Sequence, residues 1–300
     1  MVIDPVARST DGESVRIAKD VLCAGASTKI CLPDGPEEFA RALARRGQRR
    51  PVVIGDDHAL VRAVALLHKE RELARVALSV VPVGAPSTVA LSHSLGVPTG
   101  AVAAARTVLD GTEQRMDLLT DDSDGIVLGG LRIPYAGEGG DASGGGGRDS
   151  GRGGSEGGGR SGVRAALTRL TSPGDLLAAL TGRGGRRDRT PPRRLRVEAD
   201  GIVLADLDRP VERVSVVPSA RAPQDGPGAA AVDGAALDSG LADVVVHWQS
   251  AEHPVRARAR AVTVSGTDFR YRADAVVGGP VRTRTWTVQA GAWRLTLPRD

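Results

Sequence analysis

The sequence is poor in lysine, aromatic residues and cysteine, and it contains no long apolar run. Three of its 40 basic residues are lysines, aromatic residues make up 2% of the chain, and there are two cysteines. No stretch approaches the roughly eighteen apolar residues that a membrane-spanning helix needs, and the first residues lack the basic segment and apolar run of a signal peptide. These absences argue against a membrane-spanning or secreted protein and predict a cytoplasmic location.

Cys23 and Cys31 show no spacing typical of a metal site, and we expect both to be small buried hydrophobes. A disulfide would need their Cα atoms close together, which the predicted helix-then-strand placement disfavours.

The net charge is +4. Because nearly all the basic residues are arginines, in a chain rich in alanine and glycine, we attribute this charge to compositional bias. The basic run from Arg183 to Arg194 contains no aromatic residue for base stacking, so we expect no nucleic acid partner.

The first 135 residues alternate short apolar runs with helical patterns, which is typical of a parallel sheet wrapped by helices. The order β-α-β-α-β-α-β predicts a doubly wound α/β domain. The predicted strands are Val2–Ile3, Ser27–Leu32, Val52–Ile54 and Val76–Val81, and helical patterns cover Val15–Leu22, Pro36–Gly47, His58–Glu70 and Ala101–Leu109. Two strand-to-helix turns, Gly55–Leu60 and Pro82–Ala90, stand where α/β proteins bind their ligands.

The second half of the chain has a different composition. Residues 136–162 are dominated by glycine and predict a flexible insertion, a helical pattern covers 163–180, and 181–194 predict a linker rich in arginine, glycine and proline. The final hundred residues read as antiparallel strands, with Asp200-Gly201 as a hairpin turn. Five of the seven aromatic residues fall there, which suits the core of a β-sandwich. The predicted strands are Leu195–Glu198, Ile202–Leu204, Val214–Val217, Asp243–Trp248, Val255–Val264, Phe269–Arg272, Arg282–Val288 and Trp293–Leu297.

The residues of the two turns carry a family resemblance. Gly55 and Asp57 match a Gly-Gly-Asp-Gly-Thr loop, and Pro82, Gly84 and Ala90 match a Pro-Leu-Gly-Thr-Gly-Asn-Asp-Phe-Ala segment. With these loops, the chain resembles the catalytic-domain family of diacylglycerol kinases, which includes sphingosine kinases and bacterial lipid kinases and is distantly similar to NAD kinases. The resemblance covers nearly the whole chain apart from the glycine-rich insertion. It also includes Ile3-Asp4-Pro5, Leu95-Gly96, Met116-Asp117-Leu118, Asp238–Val245, Arg272–Val277 and Trp293–Pro298.

The resemblance implies an architecture and a reaction. It implies an α/β catalytic domain over 1–120, a β-sandwich domain over 121–135 and 163–300, and a cleft between them. The reaction would transfer the γ-phosphoryl group of ATP, with Mg²⁺, to a lipid hydroxyl. The expected partners are a lipid such as diacylglycerol at the membrane surface and a second copy of the chain.

The resemblance also implies roles for individual residues. Asp274 stands where the family has the general base that takes the proton of the lipid hydroxyl. Asp57 and Asp238 are the implied metal ligands. The implied nucleotide-binding residues are Gly55, Asp56, Asp57, His58, Gly84, Ser87 and Thr88.

The chain departs from the family pattern at the loop residues that would contact the nucleotide and the lipid headgroup. Asp56 and His58 replace loop glycines, where a Cβ hinders close approach of phosphates, and Ala59 replaces the threonine. Ala85 and Pro86 replace a threonine and a glycine of the second loop, and Pro86 removes a backbone donor. An active kinase using Asp56 and Asp57 for Mg²⁺, an inactive regulatory module that binds lipid, nucleotide or protein, and a NAD kinase-like enzyme all stay open.

Two side chains keep two interpretations each. Asp274 is either the base or only a turn residue, because the glycine and glutamate that follow the aspartate in the family are Ala275 and Val276 here. His58 is either a metal ligand or acid/base beside the two aspartates, or a polar residue in a solvated first turn. We expect the other four histidines, which show no paired metal spacing, to be surface or partly buried structural residues: His68, His93, His247 and His253.

Overall fold

The computed structural model describes residues 1–134, 193–219, 240–248 and 253–299. The predicted insertion (136–162) and helical pattern (163–180) lie outside the described residues. So do Asp238 and all of the predicted linker 181–194 except its last two residues. The described residues belong to one compact unit.

Three parallel strands and six helices form the N-terminal half, but the predicted alternation is interrupted because Ser27–Leu32 forms no strand. Aspartates cap three of the helices: Asp4 accepts the N–H of Val6, Asp11 that of Ser14, and Asp56 that of Ala59. The strands are β1 (Val2–Ile3), β2 (Val52–Gly55) and β3 (Ala77–Pro82). The helices are α1 (Pro5–Thr10), α2 (Gly12–Gly25), α3 (Pro36–Ala44), α4 (Asp57–Lys69), α5 (Ala90–Ser94) and α6 (Ala101–Asp110), with a 3₁₀ turn at Pro86–Thr88.

Helices cover both faces of this parallel β1-β2-β3 segment. On one face, α1, α2 and α6 bury Ala18, Leu22 and Ala104 against Ile54 and Val81. The other face carries α3 and α4, which pack against β2 and β3. Because each strand is buried on both faces, the apolar runs are continuous rather than alternating. A mixed sheet with helices, as the sequence indicates, is therefore present.

The C-terminal half is built from antiparallel strands. Two of its large buried side chains, Trp286 and Phe269, lie in a core that runs through these strands. The strands are β4 (Thr112–Asp121), β5 (Ile126–Val127), β6 (Leu131–Ile133), β7 (Leu195–Ala199), β8 (Ile202–Ala205), β9 (Val211–Pro218), β10 (Ala242–Trp248), β11 (Val255–Ala259), β12 (Ala261–Ala273) and β13 (Val276–Leu297).

One strand joins the two halves. The end of β13 pairs in parallel with β3, with Leu295 opposite Leu78, while the same strand pairs antiparallel with β4 and β12. A buried hydrogen bond of 2.8 Å from the hydroxyl of Ser79 to that of Thr296 spans the junction. The described strands thus form one hydrogen-bonded network in the order β1-β2-β3-β13-β12-β6-β9-β10-β11, with β4, β5, β7 and β8 paired beside it.

Four predicted strands are wrong in extent. Ser27–Leu32 makes only an isolated bridge between Cys31 and Val2, because β1 is two residues long and offers no longer ladder. Val255–Val264 is divided between β11 and β12. The segments Arg282–Val288 and Trp293–Leu297 belong to the single strand β13, whose register shifts between Gln289 and Trp293.

The prediction for the cysteines is also wrong. Cys23 is exposed and Cys31 is half-buried, and both thiols are free. Cys23 lies on the outer side of α2, where its Sγ contacts the Thr28 hydroxyl at 3.1 Å.

None of the helices in the described ranges is long and apolar enough to cross a membrane.

Candidate functional site

The first turn places two aspartates at the start of α4. The chain leaves β2 at Gly55, where a Cβ would lie 2.7 Å from the Cβ of Ala59 and 3.0 Å from that of Asp4. Glycine is therefore required there by the packing of the strand end against the helix. Asp56 Oδ1 accepts the N–H of Ala59 at 3.0 Å, and the exposed His58 lies with Nδ1 3.5 Å from Asp56 Oδ2.

Asp57 turns inward and fastens the second turn. Its Oδ2 accepts the backbone N–H of Leu91 at 2.8 Å, and its Oδ1 accepts both the N–H and the hydroxyl of Ser92 at 2.9 and 2.8 Å. Asp57 and Ser92 are both buried. Buried carboxylates require such partners, since an unpaired one would be strongly unfavourable. The two turns are consequently linked by side-chain to backbone bonds at the start of α5.

The second turn satisfies its polar groups internally. The N–H and hydroxyl of Thr88 both donate to the carbonyl of Ala85, at 2.8 and 2.9 Å. Gly84 has φ +151°, and a Cβ there would lie 2.5 Å from the Thr88 Oγ1 and 3.8 Å from the Asp56 Cβ. Gly84 thus faces the first turn, while Ser87 and Thr88 lie exposed at its rim.

Asp274 occupies a backbone nest rather than an open surface. It has φ +49° in the turn between β12 and β13. Its Oδ2 accepts the N–H of Leu128 at 2.7 Å, and its Oδ1 accepts those of Gly129 and Gly130 at 2.7 and 3.0 Å. In return, its own N–H donates to the Gly130 carbonyl at 3.0 Å. The turn interpretation of Asp274 therefore describes its geometry.

Electrostatics nevertheless distinguish Asp274 from an ordinary turn residue. Burial raises the pKa of its carboxyl group, the three backbone donors act in the opposite direction, and the negative charge of Asp57 adds to the increase. A group whose pKa is raised by burial and by a like charge is a recurrent feature of functional sites. The remaining lone pair of Oδ2 leaves room for one further donor.

Leu91 lies next to both Asp57 and the backbone nest of Asp274. A Cβ on Gly129 would collide with the Leu91 side chain and would lie 3.3 Å from Asp274 Oδ1. The candidate site is therefore the surface formed by Asp56, Asp57, Gly84, Leu91 and Asp274. Sequence reasoning selected four of these five residues and missed Leu91. It also missed Leu128, Gly129 and Gly130 of the nest, for which the Gly129-Gly130 pair was the available signal.

The predicted metal ligands receive no independent support. Within the described residues, no three His, Cys, Asp or Glu side chains converge as a metal site would require. Asp57 already accepts three hydrogen bonds, and Asp238 lies outside the described ranges. Asp117, in the Met116-Asp117-Leu118 segment, accepts the N–H groups of Gly240 and Gly291, both at 2.7 Å, and so links the turn before β10 to the register shift in β13.

The other histidines match their prediction as structural residues. His68 and His247 are half-buried, and His93 and His253 are exposed. His68 Nε2 lies 2.8 Å from Asp124 Oδ1.

The fold defined by these elements is that of diacylglycerol kinase-like proteins. A structure described as "a putative diacylglycerol kinase from Bacillus anthracis str. Sterne" aligns with a TM-score of 0.64 and 13% identity, covering 99% of this chain and 95% of that one. Another structure, described as diacylglycerol kinase from the same organism, aligns with a TM-score of 0.64 and 12% identity over the same shares. The resemblance inferred from the loop residues is thus confirmed at the level of the fold. No family model and no curated protein matches the chain.

Proposed function

We propose that this chain is a non-catalytic, lipid-binding relative of the diacylglycerol kinases, in which carboxylates occupy the positions that ATP phosphates would need. The observation that carries the proposal is the cap of α4. The exposed N–H groups of a helix N-terminus are a ready anion site, and here Asp56 Oδ1 already takes the N–H of Ala59 at 3.0 Å.

A triphosphate fits this arrangement poorly. Displacing Asp56 would cost about 1 kcal/mol of helix capping. A phosphate about 4 Å from a carboxylate would meet a repulsion of about 4 kcal/mol per unit charge at an effective dielectric of 20. Mg²⁺ would relieve this repulsion only through vacant carboxylate lone pairs, and these are few: Asp57 Oδ1 accepts two hydrogen bonds and Asp57 Oδ2 one, and Asp56 Oδ2 lies 3.5 Å from His58 Nδ1. We therefore derive no catalytic step through ATP or Mg²⁺.

The surroundings of Asp274 favour a lipid as the ligand. Val276, next to the Asp274 turn, is 50% exposed, and Val277 is 45% exposed. Val217 is also exposed, and it borders the nest because its Cγ2 would lie 3.0 Å from a Cβ on Gly130. A hydrogen-bonding carboxylate flanked by aliphatic side chains suits a molecule with a hydroxyl group and an acyl chain, such as diacylglycerol.

With this function we also propose the domain layout and the cellular location that the resemblance implies. The α/β domain over 1–120 would meet the β-sandwich domain at the candidate site. The protein would act in the cytoplasm and reach its lipid at the membrane surface. A homodimer stays a prediction.

An active lipid kinase is the second candidate, and one observation favours it. The raised pKa of Asp274, caused by burial and increased by Asp57, is what a general base for a lipid hydroxyl requires.

Two assays on the purified protein separate the candidates. Transfer of radiolabelled phosphate from ATP to diacylglycerol in mixed vesicles should be absent, and turnover that Asp274→Asn abolishes would establish the kinase instead. Sedimentation with vesicles containing diacylglycerol should bring down the wild type more than Val276→Asp/Val277→Asp. Equal sedimentation with vesicles lacking diacylglycerol would contradict lipid recognition.

A further inference from the structure

A cavity lies along the outer edge of the parallel sheet, next to β1. It has a volume of about 330 Å³ and lies between α3 and the segment that precedes it, with Lys29, Arg41 and Arg45 among its lining residues. Cys31 of this segment pairs in parallel with Val2, at the outer edge of the sheet. Asp56 and Gly84 follow the carboxyl ends of β2 and β3, whereas Lys29 precedes the bridge at the amino end of β1. The cavity is therefore separate from the candidate site.

Positive charge dominates this cavity. Lys29, Arg41 and Arg45 are all exposed at its wall, and Glu38 is the acidic residue that lines it. Glu38 is already engaged, because its Oε2 accepts the N–H of Asp34 at 3.0 Å and its Oε1 lies 3.7 Å from Arg41. Among the described residues, Lys29 and Arg45 form no ion pair. Two cations thus face the cavity with their charge uncompensated.

The remaining wall is apolar. Leu32, Pro33 and Ala42 contribute to it, and Leu32 is 54% exposed. The neighbouring Ile30 is 42% exposed. Its volume lies near the lower end of the range for small-molecule sites, and its wall combines charged groups with apolar ones.

We propose that this cavity is an oxyanion site that binds a phosphate group carried by a small organic moiety. Lysine and arginine side chains donate charge-assisted hydrogen bonds to phosphate oxygens, and arginine can do so in bidentate fashion. The apolar wall receives the organic part. The phosphate belongs either to a free phosphomonoester or to a lipid headgroup, whose glycerol end would lie against Leu32 and Ile30.

The direct test is calorimetric titration of the full chain with inorganic phosphate and with glycerol 3-phosphate at low salt. Lys29→Gln/Arg45→Gln should weaken binding at least about tenfold, since it removes both charge-assisted donors. The matched control Arg75→Gln/Arg106→Gln removes the same charge from exposed positions outside the cavity lining and should bind like the wild type. Equal weakening by both double variants would overturn the proposal, and no binding by the wild type would exclude a free phosphomonoester as the ligand.

A second readout does not depend on the charge variants folding normally. Cys31 lines the cavity, so in a Cys23→Ser background its alkylation reports occupancy. Glycerol 3-phosphate should slow alkylation of Cys31 in a saturable manner, and an unchanged rate would exclude a free phosphomonoester as the ligand. Vesicles containing phosphatidic acid, compared with phosphatidylcholine vesicles, test the other source. Protection of Cys31 by phosphatidic acid alone would assign the phosphate to a headgroup, and protection by neither ligand would overturn the proposal.

Discussion

Asp57 Oδ1 accepts both the backbone N–H and the hydroxyl of Ser92, at 2.9 and 2.8 Å, in a buried setting. With the bond from Leu91 to Oδ2, this contact connects the end of the first turn to the start of α5. Asp57, which in the sequence carries the resemblance to the lipid-kinase loop, therefore links the two turns through hydrogen bonds. Its role in stability can be measured apart from any activity.

Asp57→Asn should lower the free energy of unfolding by about 2 kcal/mol, because the amide nitrogen would face N–H donors that are left unsatisfied in a buried site. Urea unfolding followed by circular dichroism measures this loss. Asp208→Asn, at an exposed position, is the control and should change stability by less than about 0.5 kcal/mol. A loss for Asp57→Asn as small as that of the control would show that this link is dispensable.

Asp274 should make stability depend on pH in a defined direction. Its pKa in the folded protein is raised by burial and by Asp57, so the folded state binds the proton more tightly than the unfolded chain does. The contribution of Asp274 is therefore most favourable near pH 4 and declines as the pH rises through its folded-state pKa.

Thermal unfolding between pH 4 and 7 tests this sign. The Tm of the wild type minus that of Asp274→Asn should decrease as the pH rises. A difference that increases with pH would mean that the three backbone donors outweigh burial.

The bond between Ser79 and Thr296 should couple the two halves of the sheet. A double-mutant cycle with Ser79→Ala and Thr296→Val should give a coupling of about 1 kcal/mol in the free energy of unfolding, the usual net contribution of a neutral hydrogen bond. Strict additivity within about 0.3 kcal/mol would contradict the 2.8 Å bond between these buried hydroxyls.

The Asp200-Gly201 hairpin offers a test of turn chemistry. Asp200 has φ +48° and its carboxylate accepts the N–H groups of Arg260 and Ala261 at 2.8–3.0 Å. Asp200→Ala should cost about 1–2 kcal/mol, because it loses these bonds and places alanine at positive φ. Asp200→Asn should cost less, since asparagine tolerates this conformation and retains an acceptor. Equal costs, measured by urea unfolding, would contradict this explanation.

Local signals in the sequence predicted local structure well. The Asp-Gly pair gave the β7–β8 hairpin, and Pro36 with two following acids gave the start of α3. α1 was missed although Asp4 and Pro5 are its cap and first residue, because six residues are too few to show helical periodicity. The continuity of β13 was missed because Gly291, at φ +54°, reads as a break, whereas the structure absorbs it in a register shift.

The candidate site shows where sequence reasoning ends. The position of Asp274 was predicted, but its partners Leu128, Gly129 and Gly130 lie about 145 positions earlier in the chain. No periodicity or turn rule connects segments that far apart. The sequence indicates the capping role of Asp56, since an aspartate before a helix is a standard N-cap. The family resemblance instead presents Asp56 as the replacement of a loop glycine.

The central claim is that resident carboxylates take the place of ATP phosphates, and calorimetric titration of Mg-ATP into the purified chain tests it most directly. The account predicts no saturable binding at millimolar ATP, which corresponds to an affinity weaker than about −4.1 kcal/mol. Asp56→Gly, which frees the N–H of Ala59 at the cost of a few tenths of a kcal/mol in capping, should bind more tightly than the wild type. Saturable binding by the wild type with a Kd below about 1 mM would contradict the account.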